Sequence, residues 1–309
     1  MKKTIYPALA LLGAFAFASC QKESLSGDLT PESIAKISPV KTNTIRPVTP
    51  TSSALISTVY SYLPAAGQFI NSTGIGTTAA AQALVNSTTN MVSLGGFGGY
   101  IVFGFDHSVV NSSGVDIGVY GNPLGPTYQW SEPGIVMVSQ DTNNNGIPDD
   151  TWYELAGSEY SSAATIKNYS ITYYNPHAVG TSVAWKDNQG ATGYVVANSY
   201  HTTNNYYPTF AANQDSITFT GTKVANTLVG GTIITNTAYS WGYSDSYATD
   251  FTTYGYNTFD ISWAVNSAGT PVSLTYVDFV KVYTAQNCNA GTQLGEISTE
   301  VKGARDIHI

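Results

Sequence analysis

The sequence predicts an all-β protein, a β-sandwich or jelly roll with long loops, and three observations lead there. Short apolar or alternating runs recur along most of the 309 residues, separated by Gly, Asn and Pro. β-Branched and aromatic residues, including 22 Tyr, fill those runs. No amphipathic helix of useful length lies between them, so a parallel βαβ sheet is excluded and antiparallel layers joined by turn-rich links remain. The lack of an evident internal repeat argues against a propeller.

The N-terminus carries an address. Lys2 and Lys3 precede an apolar run over residues 5–18, and Ser19 and Cys20 close it. A basic start, a short apolar core and a small-residue cleavage site describe a signal peptide over residues 1–19, too short to span a bilayer. The cysteine after the small residues makes a lipobox-like ending, with Phe17 where Leu is commoner. The expectation is a diacylglycerol on the Cys20 thiol that holds the chain on a membrane the rest never enters. Gln21-Lys22-Glu23-Ser24 resembles the short polar-acidic tag with which some Gram-negative gut commensals send lipoproteins to the cell surface. Outer-membrane anchoring with surface exposure is the expected location.

Residues 20–55 are expected to form a flexible tether, rich in Ser, Thr and Lys and broken by Pro31, Pro39, Pro47 and Pro50. The folded domain is expected over residues 56–309, with no internal linker at which to divide it. Its best helix candidate is the Ala-rich stretch 77–85. Strands are expected at 91–94, 100–105, 116–120, 134–139, 152–155 and 168–174. They continue at 183–185, 194–197, 216–220, 232–237, 258–265 and 277–283.

Charge narrows the partners. Without Lys2 and Lys3 the twelve basic residues become ten against twenty acidic ones, a net charge of −10. So few cations leave little to neutralise phosphate, which argues against nucleic acid and anionic lipid as partners. Low charge with abundant Tyr, Thr, Asn and Gly suits recognition of neutral polar ligands through aromatic faces. With Cys20 acylated, Cys288 has no partner, so core packing or a bound ion must hold the fold.

The sharpest local motif runs from Asp141 to Asp150. Oxygen side chains at Asp141, Asn143, Asn145 and Asp149, with Gly146 at the sixth position, have the spacing of a loop that wraps Ca2+. The pattern resembles the calcium loops of dockerin and thrombospondin type 3 repeats. Trp152 occupies the twelfth position, so Asp149, Asp150 or Glu154 would have to supply the closing carboxylate. Asn145-Gly146 is also a strong turn signal, and a plain polar hairpin explains the same residues. An ion here is expected to be structural.

Catalytic signatures are sparse. The four histidines form neither HExxH nor a metal-spaced pair, and there is no GxSxG elbow. The glycine-rich run 95–99 leads into a strand, so it is no phosphate cradle. Glu132, Asp149, Asp150, Glu154 and Glu159 could supply a glycosidase pair, but most of them flank or build the acidic loop. A binding protein is the expectation; a calcium-dependent hydrolase is the lesser one.

Two aromatic, amide-rich stretches are candidate ligand contacts. One holds Tyr200, Tyr206 and Tyr207; the other holds Trp241, Tyr243 and Tyr247. Trp185 stands beside a loop and joins them. Alternating aromatics at 239, 241 and 243 equally describe one face of a packed strand. Trp152 and Trp263 sit within predicted strands and read as core.

Four phrases in combination carry a family resemblance. They are Gly95 to His107, Glu132-Pro133-Gly134-Ile135-Val136-Met137-Val138, the segment from Pro148 to Ser158 with its Asp149-Asp150-Thr151-Trp152-Tyr153-Glu154 centre, and Asp278-Phe279-Val280-Lys281-Val282-Tyr283. From about residue 58 onward the chain resembles a family of gut-commensal surface lipoproteins, some of whose members accompany TonB-dependent transporters of vitamin B12 and related corrinoids. The resemblance implies a discoidin-like jelly roll, capture of a corrinoid and delivery to such a transporter. It maps no binding residue onto this sequence. The alternative reading is a glycan-binding lipoprotein of a polysaccharide-uptake system.

Overall fold

In a computed structural model, which describes residues 44–309, side-chain alternation along the strands sorts the apolar residues onto opposite sheet faces. The first strands are β1 (Thr58–Leu63), β2 (Val92–Ser93), β3 (Tyr100–Val110), β4 (Ile117–Tyr120), β5 (Gly134–Ser139) and β6 (Trp152–Leu155). Next come β7 (Ile166–Tyr174), β8 (Val183–Asp187), β9 (Thr192–Val195), β10 (Ser216–Lys223), β11 (Leu228–Val229) and β12 (Thr235–Asn236). The last are β13 (Asn257–Phe259), β14 (Ala264–Val265), β15 (Tyr276–Thr284), β16 (Glu300–Val301) and β17 (Gly303–Asp306). Two short helices, α1 (Thr78–Gln82) and α2 (Thr249–Tyr254), complete the elements used below. The predicted all-β class holds.

A six-stranded antiparallel sheet in the order β1-β3-β15-β5-β6-β14 forms the central layer. Val136, Val138, Val280 and Val282 point from one face into a core shared with Ile117, Val119 and Phe259 of the three-stranded sheet β13-β4-β17. Their neighbours Ile135, Met137 and Tyr283 point the other way, into a second core with Ile171, Tyr173 and Phe219 of the four-stranded sheet β10-β7-β8-β9. Burial on both faces explains why β5 and β15 read as near-continuous apolar runs.

The glycine-rich run 95–99 joins the layers. Phe97 is fully buried in the second core, and its carbonyl accepts a hydrogen bond from the Tyr173 hydroxyl at 3.1 Å. Gly98 has φ 85°, and a Cβ there would run into the Cβ of Phe219. Only glycine lets these backbones approach so closely.

Several boundaries differ from expectation. The predicted helix over 77–85 shortens to α1, capped by Thr77, whose hydroxyl accepts the Ala80 amide at 3.1 Å. The predicted strand 258–265 divides in two. Asp260 accepts the Ser262 amide at 2.7 Å and starts a 3-10 turn that carries the chain from β13 in one sheet to β14 in another. Of the run 232–237, only Thr235 and Asn236 pair as a strand.

The signal peptide, Cys20 and the tether up to residue 43 lie outside the described residues. Residues 44–55, expected as the tether's end, pack on the domain. Arg46 meets Asp278 at 3.3 Å, the Ser53 amide donates to Asp106 at 3.0 Å, and Leu55 bridges to Arg305. Among the described residues, no helix is long and apolar enough to cross a membrane.

Candidate functional site

Where the six- and four-stranded sheets diverge, a half-open cleft of about 580 Å³ remains. Met137, Glu154 and Lys281 reach it from the central sheet, and Lys167, Asn168, Thr220 and Thr222 from β7 and β10. Trp152, Tyr160 and the loop Asn266–Gly269 complete its rim. A mixed apolar and polar lining in a cavity of this size is the usual character of a small-molecule site.

Its charged groups are perturbed by their surroundings. Burial raises the Glu154 carboxyl above its ordinary value, opposed by a 2.6 Å hydrogen bond from the Thr222 hydroxyl and by Lys167. Burial brings Lys167 down to about 8, while Glu154 partly supports its charge. The Lys167 ammonium sits 2.8 Å from the centroid of the Tyr160 ring. Burial also lowers Lys281, which lies 4.0 Å over the Tyr100 ring. Tyr283 closes the floor: its hydroxyl accepts the Thr222 amide at 2.9 Å and donates to the Thr222 carbonyl at 3.2 Å. One acid and two partly desolvated amines thus face a space that a ligand can enter.

The seven predicted ligand contacts do not line one pocket, and none of them lines the cleft. Tyr206 and Tyr243 are core residues, 0% and 3% exposed, with their hydroxyls taking the amides of Asn198 and Glu159. Tyr207 is 1% exposed, and its buried hydroxyl makes no hydrogen bond, though its ring lines a cavity of about 220 Å³. Their apolar ring area draws these three side chains into the second core. Trp241 remains 42% exposed, packed against Trp263 at 4.6 Å between centroids. Tyr247 is half-buried against Phe251, and Tyr200 is exposed. Trp185 lines a separate pocket with Tyr194. Trp152 and Trp263, expected in the core, are each half-buried.

The acidic loop folds back on itself. The Asp141 carboxylate accepts the amides of Asn145 at 3.0 Å and Gly146 at 2.8 Å. Asn143 accepts the Asn145 amide at 2.9 Å, and Asn145 in turn donates its side-chain amide to Asp149. Asp150 takes the Thr142 amide at 3.2 Å and the Thr142 hydroxyl. Asn144 at φ 54° and Gly146 at φ 73° supply the tight turn. Glu154, a suggested closing ligand, is instead committed to Thr222 in the cleft.

A different acidic group is drawn together by the tertiary fold. Glu132, Asp245 and Glu300 each bring an oxygen within 4.8 Å of the others and could hold a cation. Burial and mutual repulsion push the Asp245 and Glu300 carboxyls well above their usual values; Glu132 is raised by burial. Crowding three carboxyls in one buried place favours their protonated forms or a cation between them.

Sequence reasoning missed Lys167, Lys281, Glu296 and Glu300. A signal was present: Lys281 interrupts the apolar run of β15, and Glu296 and Glu300 lie four apart in an otherwise uncharged segment. No known family model matches the chain, and no curated protein matches it.

Proposed function

We propose that this chain is a cell-surface lipoprotein, anchored through Cys20, that captures a corrinoid for a TonB-dependent outer-membrane transporter. The observation that carries the ligand-binding part is the cleft between the two sheets. Corrinoids combine an apolar ring edge with an amide-rich periphery and, in cobalamin, a phosphodiester. Trp152, Tyr160 and Met137 suit the first, Asn168, Thr220 and Asn266 the second, and the Lys167 and Lys281 ammonium groups the third. The cleft would take one edge of such a ligand and leave the rest for the transporter. Glu154 is the one carboxylate on its described lining, which favours binding over two-carboxylate hydrolysis. In the same reading, the loop 141–150 holds a structural Ca2+.

Calorimetric titration of the full chain with cyanocobalamin tests this. The expected result is saturable binding at micromolar affinity or tighter. Lys167→Ala and Trp152→Ala should each weaken it by about tenfold, roughly 1.4 kcal/mol, measured at a temperature where both variants are folded. Absence of binding in calorimetry and in an independent assay would remove the corrinoid, and a glycan array becomes the next measurement.

A further inference from the structure

At the outer edge of the four-stranded sheet lies a second pocket, of about 260 Å³, that shares no lining residue with the cleft. Trp185 and Tyr194 line it from β8 and β9. Trp185 pairs across the strands with Gly193, and its indole comes within 2.5 Å of where a Cβ on residue 193 would be. Tyr194, on the last strand of the sheet, is 59% exposed.

The opposite wall is a hairpin in which Asn289 and Glu296 are bridge partners. Each side chain is oriented by one atom and leaves the other unused. Asn289 Oδ1 accepts the Gly291 amide at 2.8 Å, while Asn289 Nδ2 is buried with no hydrogen bond. Glu296 Oε1 accepts the Gln68 amide at 2.8 Å, while Oε2 is buried with no hydrogen bond. Glu296 is only 2% exposed. Two buried polar atoms left unpaired on bridge-partner residues are unfavourable in the free protein, and such atoms mark places where a partner group belongs.

We propose that this pocket is a second binding site, taking a single neutral sugar ring whose adjacent hydroxyls meet Asn289 Nδ2 and Glu296 Oε2 while its apolar face rests on the Trp185–Tyr194 wall. A hydroxyl both donates and accepts, so one ring hydroxyl can accept from Asn289 Nδ2 while its neighbour pairs with Glu296 Oε2 in either protonation state of that carboxyl. The aromatic side chains suit the C–H face of the same ring. No lining residue is a cation that would hold an anion, and a cation would meet one carboxyl alone, that of Glu296. The site stands whether or not the cleft binds a corrinoid.

Saturation-transfer NMR on the full chain, with free glucose, galactose, mannose, fucose and N-acetylglucosamine at millimolar concentration, is the test. At least one sugar should receive saturation, and Asn289→Ala should weaken its binding at least fivefold. Tyr194→Ala, on an exposed strand position that the fold does not need, should do the same. The bound sugar should also slow alkylation of Cys288, which lines the pocket, at least twofold as read on its own peptide by mass spectrometry. Excess cyanocobalamin should not displace it. The proposal is overturned if no sugar receives saturation, as for a pocket that holds water alone. It is equally overturned if binding survives both substitutions unchanged or leaves Cys288 alkylation unaltered.

Discussion

At the scale of single residues, burial separates aromatics that the sequence presents as alike. Tyr200 and Tyr206 lie in one polar loop, yet the first is 75% exposed and the second fully buried. Tyr206→Ala should therefore destabilise the domain by about 3–5 kcal/mol in urea denaturation, the range for large core truncations. Tyr200→Ala should stay within about 0.5 kcal/mol. Equal effects would contradict the core assignment. Loop composition made ligand contact a reasonable expectation for both. What it could not convey is that Asn198 and the His201 carbonyl give the Tyr206 hydroxyl its hydrogen bonds inside the protein, removing the penalty for burying it.

Single elements show where local signals suffice. Strands β5 and β6 match their predicted limits because apolar patterning and flanking turn residues agree there. Helix α2, sequence Thr-Asp-Phe-Thr-Thr-Tyr, was not foreseen, since its residues favour strands. It is held by Asp250, whose carboxylate accepts the Thr258 amide at 2.7 Å, and is ended by Gly255 at φ 79°. The glycine run 95–99 yields a stability prediction. Gly98→Ala should cost about 3 kcal/mol or more, through positive φ and collision with Phe219; Gly146→Ala, with open space around it, only about 1 kcal/mol. Thermal melts of the two variants would separate these contributions. The acidic loop is testable in the same way. If it holds calcium, EDTA lowers the melting temperature and Asp141→Ala abolishes the response. A response that survives Asp141→Ala but disappears in Glu300→Gln moves the ion to the buried triad, and no response removes it.

For the whole molecule, buried acids set the pH behaviour. Glu132, Asp245, Glu296 and Glu300 all have carboxyls raised chiefly by burial, Glu296 from 4.5 to about 8. A raised folded-state value means the native chain binds these protons more tightly than the unfolded chain. The Glu296 contribution is full below about pH 4.5 and is lost as pH rises through about 8, and those of the other three carboxyls fall in the same direction with rising pH. The domain should thus be more stable at pH 5 than at pH 8. Glu296→Gln should remove about 2–4 kcal/mol of that difference. Denaturant titrations at the two pH values measure it, and a flat profile would falsify the raised proton affinity of these carboxyls.

The sequence by itself determined the class of the fold and most of its strands. Alternation, β-branched content and turn residues act within a few neighbours and are written in order along the chain. It could also pick out the Asp141–Asp150 loop, whose oxygens are fixed by local spacing. The candidate sites were decided only by tertiary structure. Glu154 and Lys167 meet across two sheets, Glu132, Asp245 and Glu300 come from three distant segments, and Asn289 and Glu296 face Trp185 about a hundred residues away. Their burial and their altered proton affinities arise from layer packing, which depends on sheet order and register rather than on any local pattern.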